Sequence, residues 1–293
     1  MTDGTEIPGY ITGSRLKAYT LDQFEVIDRA LAQTRDDLPE GIHAARKAIR
    51  FIRAALDLGQ ASLGHDAALV SKSLKVLCRD LAQMRDAHVV VNTLDSIAKS
   101  SRHVERRKIL QEVRERLIKQ QTLSLGQILE QDPNLSRLRA RSWEFRSTIA
   151  SLPWAAIHDH DVETALAFSG HRARRAAKQV RSSPQGSRRH RWRRRLRRLR
   201  YQMMIVESAL PWRTGKHSPA NNHEANPDFE RTLKLPITIA KLEKMTSKLG
   251  FECDLRALRL AIKDDSGIDD HDRNKVLKSV RHALRAAIER LDA

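Results

Sequence analysis

Two eleven-residue segments carry the side chains best suited to chemistry. His43, Arg46, Arg50 and Arg53 recur 147 residues later as His190, Arg193, Arg197 and Arg200, one histidine and three arginines at offsets 0, 3, 7 and 10. Lys47 and Arg194 share the offset of 4, and Tyr201 closes the second block. A helix turns about 100° per residue, so these offsets fall within an arc of roughly 80° along about 15 Å of helix. Each copy is one cationic stripe. Its chemistry is the capture of anions, since arginine offers a planar fork to paired oxygens and lysine a mobile point charge.

A single basic stripe is usually a solvated face, and repetition argues against that here. Solvated faces mix acids with bases for i, i+4 pairing, yet between Thr164 and Val206 there are fourteen Arg and Lys and no Asp or Glu. Such a stretch repels itself unless an anion neutralises it. The net charge of +18 names the same partner class, an acidic polymer, an anionic surface or a phosphorylated ligand. Lys72, Lys75 and Arg79 form a third basic row at i, i+3, i+7. Lys275, Lys278, Arg281, His282 and Arg285 on the last predicted helix read either as a solvated face or as an extension of the site.

The elements that must hold these stripes are helices. Behind the first lie Ala44, Ala45, Ala48, Ile49, Ile52, Ala55 and Leu56; behind the second lie Trp192, Leu196, Leu199 and Met203 at i, i+4, i+7, i+11, so each stripe is held away from a core. Residues 1–19, rich in Gly, Thr and Ser, read as a poorly ordered tail. A capping box of Thr20 and Gln23 predicts a helix over 21–37. Pro39 opens the helix of the first stripe, which Gly59 ends. Further helices are predicted from Asp66 to Ser100, with a bend at Arg85-Asp86 as one option, then over 104–130 and to Ile149. Pro153 marks the best boundary, giving halves 20–151 and 152–293. In the second half helices are predicted over 161–181, 188–209, from Pro236 to Gly250, over 254–263 and over 272–291, with a polar loop over 211–228. No segment alternates like a strand, so the fold class is all-α.

Catalysis has no support in the sequence, and no enzyme activity, cofactor or metal is expected. Four His-Asp pairs, His65-Asp66, His158-Asp159, His160-Asp161 and His271-Asp272, each precede a predicted helix, where Asp caps free N–H groups rather than ligating metal. There is no Cys-x-x-Cys, nucleophile motif or glycine-rich phosphate loop. Cys78 and Cys253 read as reduced core residues of a cytoplasmic protein. No apolar run suits export or a membrane span, so no membrane partner is expected.

The two histidine motifs, in this order and with the second running into Arg200-Tyr201, resemble the CHAD family, the conserved histidine α-helical domain. Arg85-Asp86 after a leucine-rich helix and the weaker Leu249-Gly250 to Asp254 resemble it as well, and the likeness extends over almost the whole chain after residue 20. The resemblance implies two four-helix bundles related by a pseudo-twofold axis. It also implies binding of inorganic polyphosphate by facing basic helices and association with polyphosphate granules. The chain departs from the family at Phe51, where a basic residue is common, and at Met204, where a glutamate is common.

Polyphosphate is a flexible anion without bases, so its reader needs charge and N–H donors but no stacking platform. The polyphosphate-binding residues expected are His43, Arg46, Lys47, Arg50, Arg53, Lys72, Lys75, Arg79, His190, Arg193, Arg194, Arg197, Arg200 and Tyr201. The alternative is a helical DNA- or RNA-binding module on the same surface, with nucleic acid otherwise the weaker competitor. Single strands want aromatics between the cations, and only Phe51, Trp192 and Tyr201 lie near the stripes. A scaffold for acidic proteins is a third reading. His43 and His190 either gain protons as phosphate binds or serve as neutral partners that fix a neighbouring helix. The sequence leaves oligomeric state open.

Overall fold

A computed structural model of the chain describes residues 8–32, 37–101, 103–210 and 237–292, with the side chains of 8–10, 83, 85–87 and 292 excepted. The described residues are all-α. The helices are α1 (Pro8–Leu31), α2 (Leu38–Leu58), α3 (Gln60–Ser100), α4 (Val104–Gln131), α5 (Ser136–Ala150), α6 (Asp159–Ser182), α7 (Gly186–Ala209), α8 (Ile239–Asp264) and α9 (Asp270–Asp292). No helix among the described residues is long and apolar enough to cross a membrane.

These helices make two compact units. One takes α1, α2, α5, α6 and α7, with α3 as far as Asp80 and α8 as far as Glu243. Its core is built from fully buried Leu16, Phe24 and Ile27 on α1, Ile42, Ile49, Ile52 and Leu56 on α2, and Leu74 and Leu77 on α3, met by Leu196, Leu199 and Ile205 of α7. Each such side chain contributes about 1.5–3 kcal/mol of transfer free energy. The other unit takes α3 from Leu81, α4, α8 from Lys244, and α9. There Leu94, Leu110, Leu255, Leu258, Ile262, Val276 and Val280 form a core of their own.

Several boundaries differ from the sequence reading, for identifiable reasons. The segment read as a tail to residue 19 is helical from Pro8, because Thr12, Leu16 and Thr20 place a fully buried face on the helix at i, i+4, i+8. Thr20 is therefore mid-helix, its hydroxyl donating to the Leu16 carbonyl at 2.6 Å rather than capping. Helix α3 begins at Gln60 and is interrupted at Gly64, where φ is 71°. The two helices expected between Pro236 and residue 263 are one, since Leu249, Leu255, Leu258 and Ile262 continue a buried face past Gly250. Pro236 and the loop over 211–228 lie outside the described residues.

The His-Asp pairs also take different places. Asp161 sits inside the first turn of α6 and accepts the backbone N–H of His158 at 2.9 Å and the Ser62 hydroxyl at 2.9 Å. Asp159 accepts the Thr12 hydroxyl at 2.6 Å. At α9 the cap is Asp269, which accepts the N–H groups of His271 and Asp272 at 2.9 and 3.0 Å. Among the described residues no group of three or more His, Cys, Asp or Glu is placed to hold a metal ion. Cys78 and Cys253 are thiols, not disulfide-bonded, and are half-buried rather than core.

Candidate functional site

Helix α2 starts with proline in its first turn, and the Gly59 N–H reaches back to the Ala55 carbonyl at its end. Ile42, Ala45, Ile49, Ile52 and Leu56 fill one buried face, which fixes the rotation of the helix. Arg50, Arg53 and Asp57 are thereby turned, with Ala54, toward a cleft of about 270 Å³. Arg53 is pinned there, its Nε donating to the Ser71 carbonyl of α3 at 3.0 Å. Across the cleft α7 supplies Arg191, Arg194, Arg195, Arg197, Arg198 and Tyr201, and α3 supplies Lys75. Eight cations therefore face one carboxylate.

This density is electrostatically costly in the free protein. Burial, then Arg50 and Arg193, push the Arg197 guanidinium down to about 10. Arg195 is lowered by burial and by Arg172, Arg198, Arg194 and Arg191. Like charges at such spacing disfavour one another, and an anion entering the cleft would relieve them all at once. Arg198 has a partner, since its Nε lies 2.7 Å from Asp57 Oδ2. Burial nevertheless outweighs that attraction, raising Asp57 despite Arg198, Arg53, Arg172 and Arg195 and lowering Arg198.

The aromatic side chains stand behind the charges. Phe51 and Tyr201 are 7% and 5% exposed, too little to stack a base. Their ring centroids are 4.6 Å apart, and Tyr19 meets Phe51 edge-on at 6.2 Å. Burial raises the Tyr19 hydroxyl to about 12. Lys47 and Arg200 lie over the Phe51 and Tyr201 rings at 5.9 and 5.5 Å. The departure at Phe51 is thus a packing residue, held between Tyr19 and Tyr201.

Of the residues expected to bind, Arg50, Arg53, Lys75, Arg194, Arg197 and Tyr201 line the cleft together. His43, Arg46, Lys47, Lys72, Arg79, His190, Arg193 and Arg200 lie outside its lining. His43, Lys47, Lys72, Arg79 and His190 are exposed, and Arg46 and Arg193 are half-buried. Arg200 pairs with Glu243 at 3.2 Å. Trp192 and Met203, expected in the core, are only half-buried. The side chains of Arg85 and Asp86 lie outside the described residues.

Sequence reasoning missed Arg191, Arg195, Arg198 and Asp57. The lined face of α7 is turned by roughly 100° from the stripe that begins at His190. Arg191, Arg195 and Arg198 do form their own i, i+4, i+7 row, but in a helix with nine arginines among its 24 residues no single row stands out. Asp57, four residues after Arg53 on the same face, was the readable signal.

The family model described as CHAD domain matches residues 18–218. No curated protein matches the chain. Solved structures share its fold. PptA from Streptomyces chartreusis is 16% identical with a TM-score of 0.57, covering 95% of this chain and 99% of that one. The CHAD domain from the plant Ricinus communis is 16% identical with a TM-score of 0.58, covering 98% of this chain and 87% of that one.

Proposed function

Because this chain belongs to the CHAD domain family, we propose that the cleft between α2 and α7 binds inorganic polyphosphate, without catalysing a reaction on it. The observation that carries this reading is the lining itself, eight cations against one carboxylate, with Tyr201 its one aromatic and only 5% exposed. A ligand of linked phosphates without bases needs that composition; a single-stranded nucleic acid would need ring faces between the charges. Arg197 and Arg195, destabilised by their neighbours in the free protein, supply favourable energy once a polyanion is present. Association with polyphosphate granules would follow from the same affinity. The described helices also run as two sets of four, α1 to α4 and α6 to α9, each with its stripe on the second helix; this order supports reading the halves as copies of one four-helix unit.

One observation favours nucleic acid as a second reading. Phe168 on α6 is 58% exposed, with the Arg172 guanidinium 5.3 Å from its ring, a pairing that could stack a base. Trp143 on α5, 36% exposed with the Arg146 guanidinium 5.1 Å from its ring, is a second such pairing, and neither ring lines the cleft. Retention on immobilised polyphosphate with RNA added at matched phosphate concentration tests the choice. The protein should stay bound as RNA is added, and ready elution by RNA would reverse the order of the two readings.

A further inference from the structure

Asp57 is the one carboxylate among the residues that line the cleft. Its side chain is 16% exposed and its Oδ2 lies 2.7 Å from Arg198 Nε. The charged groups around it come from each helix at that end of the cleft. They are Arg53 on α2 itself, Arg195 and Arg198 on α7, Arg172 on α6 and, across the cleft, Lys75 on α3. A carboxylate here occupies cationic donors that a ligand phosphate would otherwise take. It is chemically an anion of the same kind, planar oxygens on a guanidinium.

We propose that Asp57 is a built-in competitor for phosphate, which holds Arg198 in the free protein and yields it, taking up a proton, only to a chain of linked phosphates. The proposal rests on the polyphosphate reading. Burial already holds the Asp57 carboxyl above its ordinary range and Arg198 below its own, so the pair is poised rather than locked. A phosphate chain reaching Arg195 and Arg198 brings negative charge beside Asp57 and raises its proton affinity further. One proton then passes from solvent to Asp57 Oδ, and the freed guanidinium turns to phosphate oxygens.

The consequence is a threshold of valence. Orthophosphate makes few contacts and gains little to offset the broken pair. A chain engages several of the eight cations at once, each added phosphate binding at the high effective concentration set by its neighbours. Asp57 is thus a specificity-determining residue that rejects small anions.

The test is isothermal titration of the full chain, wild type and Asp57→Asn, with orthophosphate, tripolyphosphate and long-chain polyphosphate, in two buffers of different ionisation enthalpy. The Asn variant should bind tripolyphosphate about tenfold tighter near neutral pH, the ratio that one lost charge-pair contact sets. It should also lose part of the proton uptake that wild type shows. Wild-type affinity should rise as pH falls from neutrality, more steeply than that of the variant, because the Asp57 carboxyl is raised and takes up its proton more readily. Equal or weaker binding of small phosphates by the variant, or undiminished proton uptake, overturns the role of Asp57 while leaving the polyphosphate reading in place. No binding of any phosphate chain by wild type overturns both. Should Asp57→Asn not fold, Asp57→Ser serves the same comparison.

Discussion

Arg50 on α2 disfavours the charge of Arg197 on α7 across the cleft, and is the largest influence on it after burial. Two like charges brought together by folding weaken the fold and strengthen anion capture. Replacing Arg197 or Arg50 by Ala should therefore weaken polyphosphate binding by about 1.5–3 kcal/mol, the worth of a hydrogen bond to a charged group. The slope of log affinity against log salt should fall by about 0.7 per lost contact, by analogy with single strands. The melting temperature should hold or rise, because the repulsion goes with the side chain. Affinity that falls only alongside the melting temperature would make these arginines structural.

His43 and His190 head the two stripes, yet both are exposed and outside the cleft lining. The double variant His43→Gln, His190→Gln should keep polyphosphate affinity within about twofold at pH 7. Proton uptake between about pH 6 and 7, where an ordinary histidine titrates, should be the same in both proteins. Titration in paired buffers checks this, and uptake lost with the histidines would return them to the site.

Local signals set most helix ends and only part of the cleft. Pro39 and Gly59 bracket α2 in the sequence as in the structure, and α4 and α7 end within a few residues of their predicted limits. Gly9, Gly13 and Ser14 read as loop chemistry and place the start of α1 too late, while the burial of Thr12 and Leu16 that overrides them comes from tertiary packing. Gly250 likewise weakens a helix on propensity alone, and the buried face through Leu249 and Leu255 carries α8 past it. The stripes located the two helices that matter. Their rotation could not be read from arginine spacing, because α7 has arginines on nearly every side; it is set instead by buried Leu196, Leu199, Tyr201 and Ile205.

Asp28 on α1 accepts Arg139 of α5 through both oxygens, from Nε at 2.8 Å and Nη2 at 3.1 Å, with Trp143 Nε1 at 3.3 Å. The bond from Arg139 holds the Asp28 carboxyl below its ordinary value. A depressed folded value means the unfolded chain binds the proton more readily. The pair's stabilisation is then present above an unfolded aspartate's value of about 4 and is lost as pH falls through the folded value. With both side chains still reached by water, at 31% and 25% exposed, its worth is about 1 kcal/mol. Urea unfolding at pH 7 should show Asp28→Asn destabilised by that amount, the gap closing on acidification through the lowered Asp28 value.

Two glycines are needed for opposite reasons, and their alanine variants separate them. Gly64 has open space around it but a φ of 71°, so Gly64→Ala is strained only by its backbone and should cost about 1 kcal/mol. Gly13 is inside α1, where Gly→Ala ordinarily stabilises by about 1 kcal/mol. Here a Cβ would stand 1.8 Å from the Trp154 carbonyl oxygen and 2.7 Å from its carbon. That carbonyl has little room to retreat, because Trp154 is 2% exposed and its indole N–H donates to the Ile149 carbonyl at 2.7 Å. The neighbouring bond from Thr12 to Asp159 ties the start of α6 to α1 as well. Gly13→Ala should therefore reverse the usual sign and destabilise by about 2–3 kcal/mol, as overpacking does. Equilibrium urea unfolding of both variants checks the pair, and a Gly13→Ala protein as stable as wild type would place α1 farther from Trp154 than this packing requires.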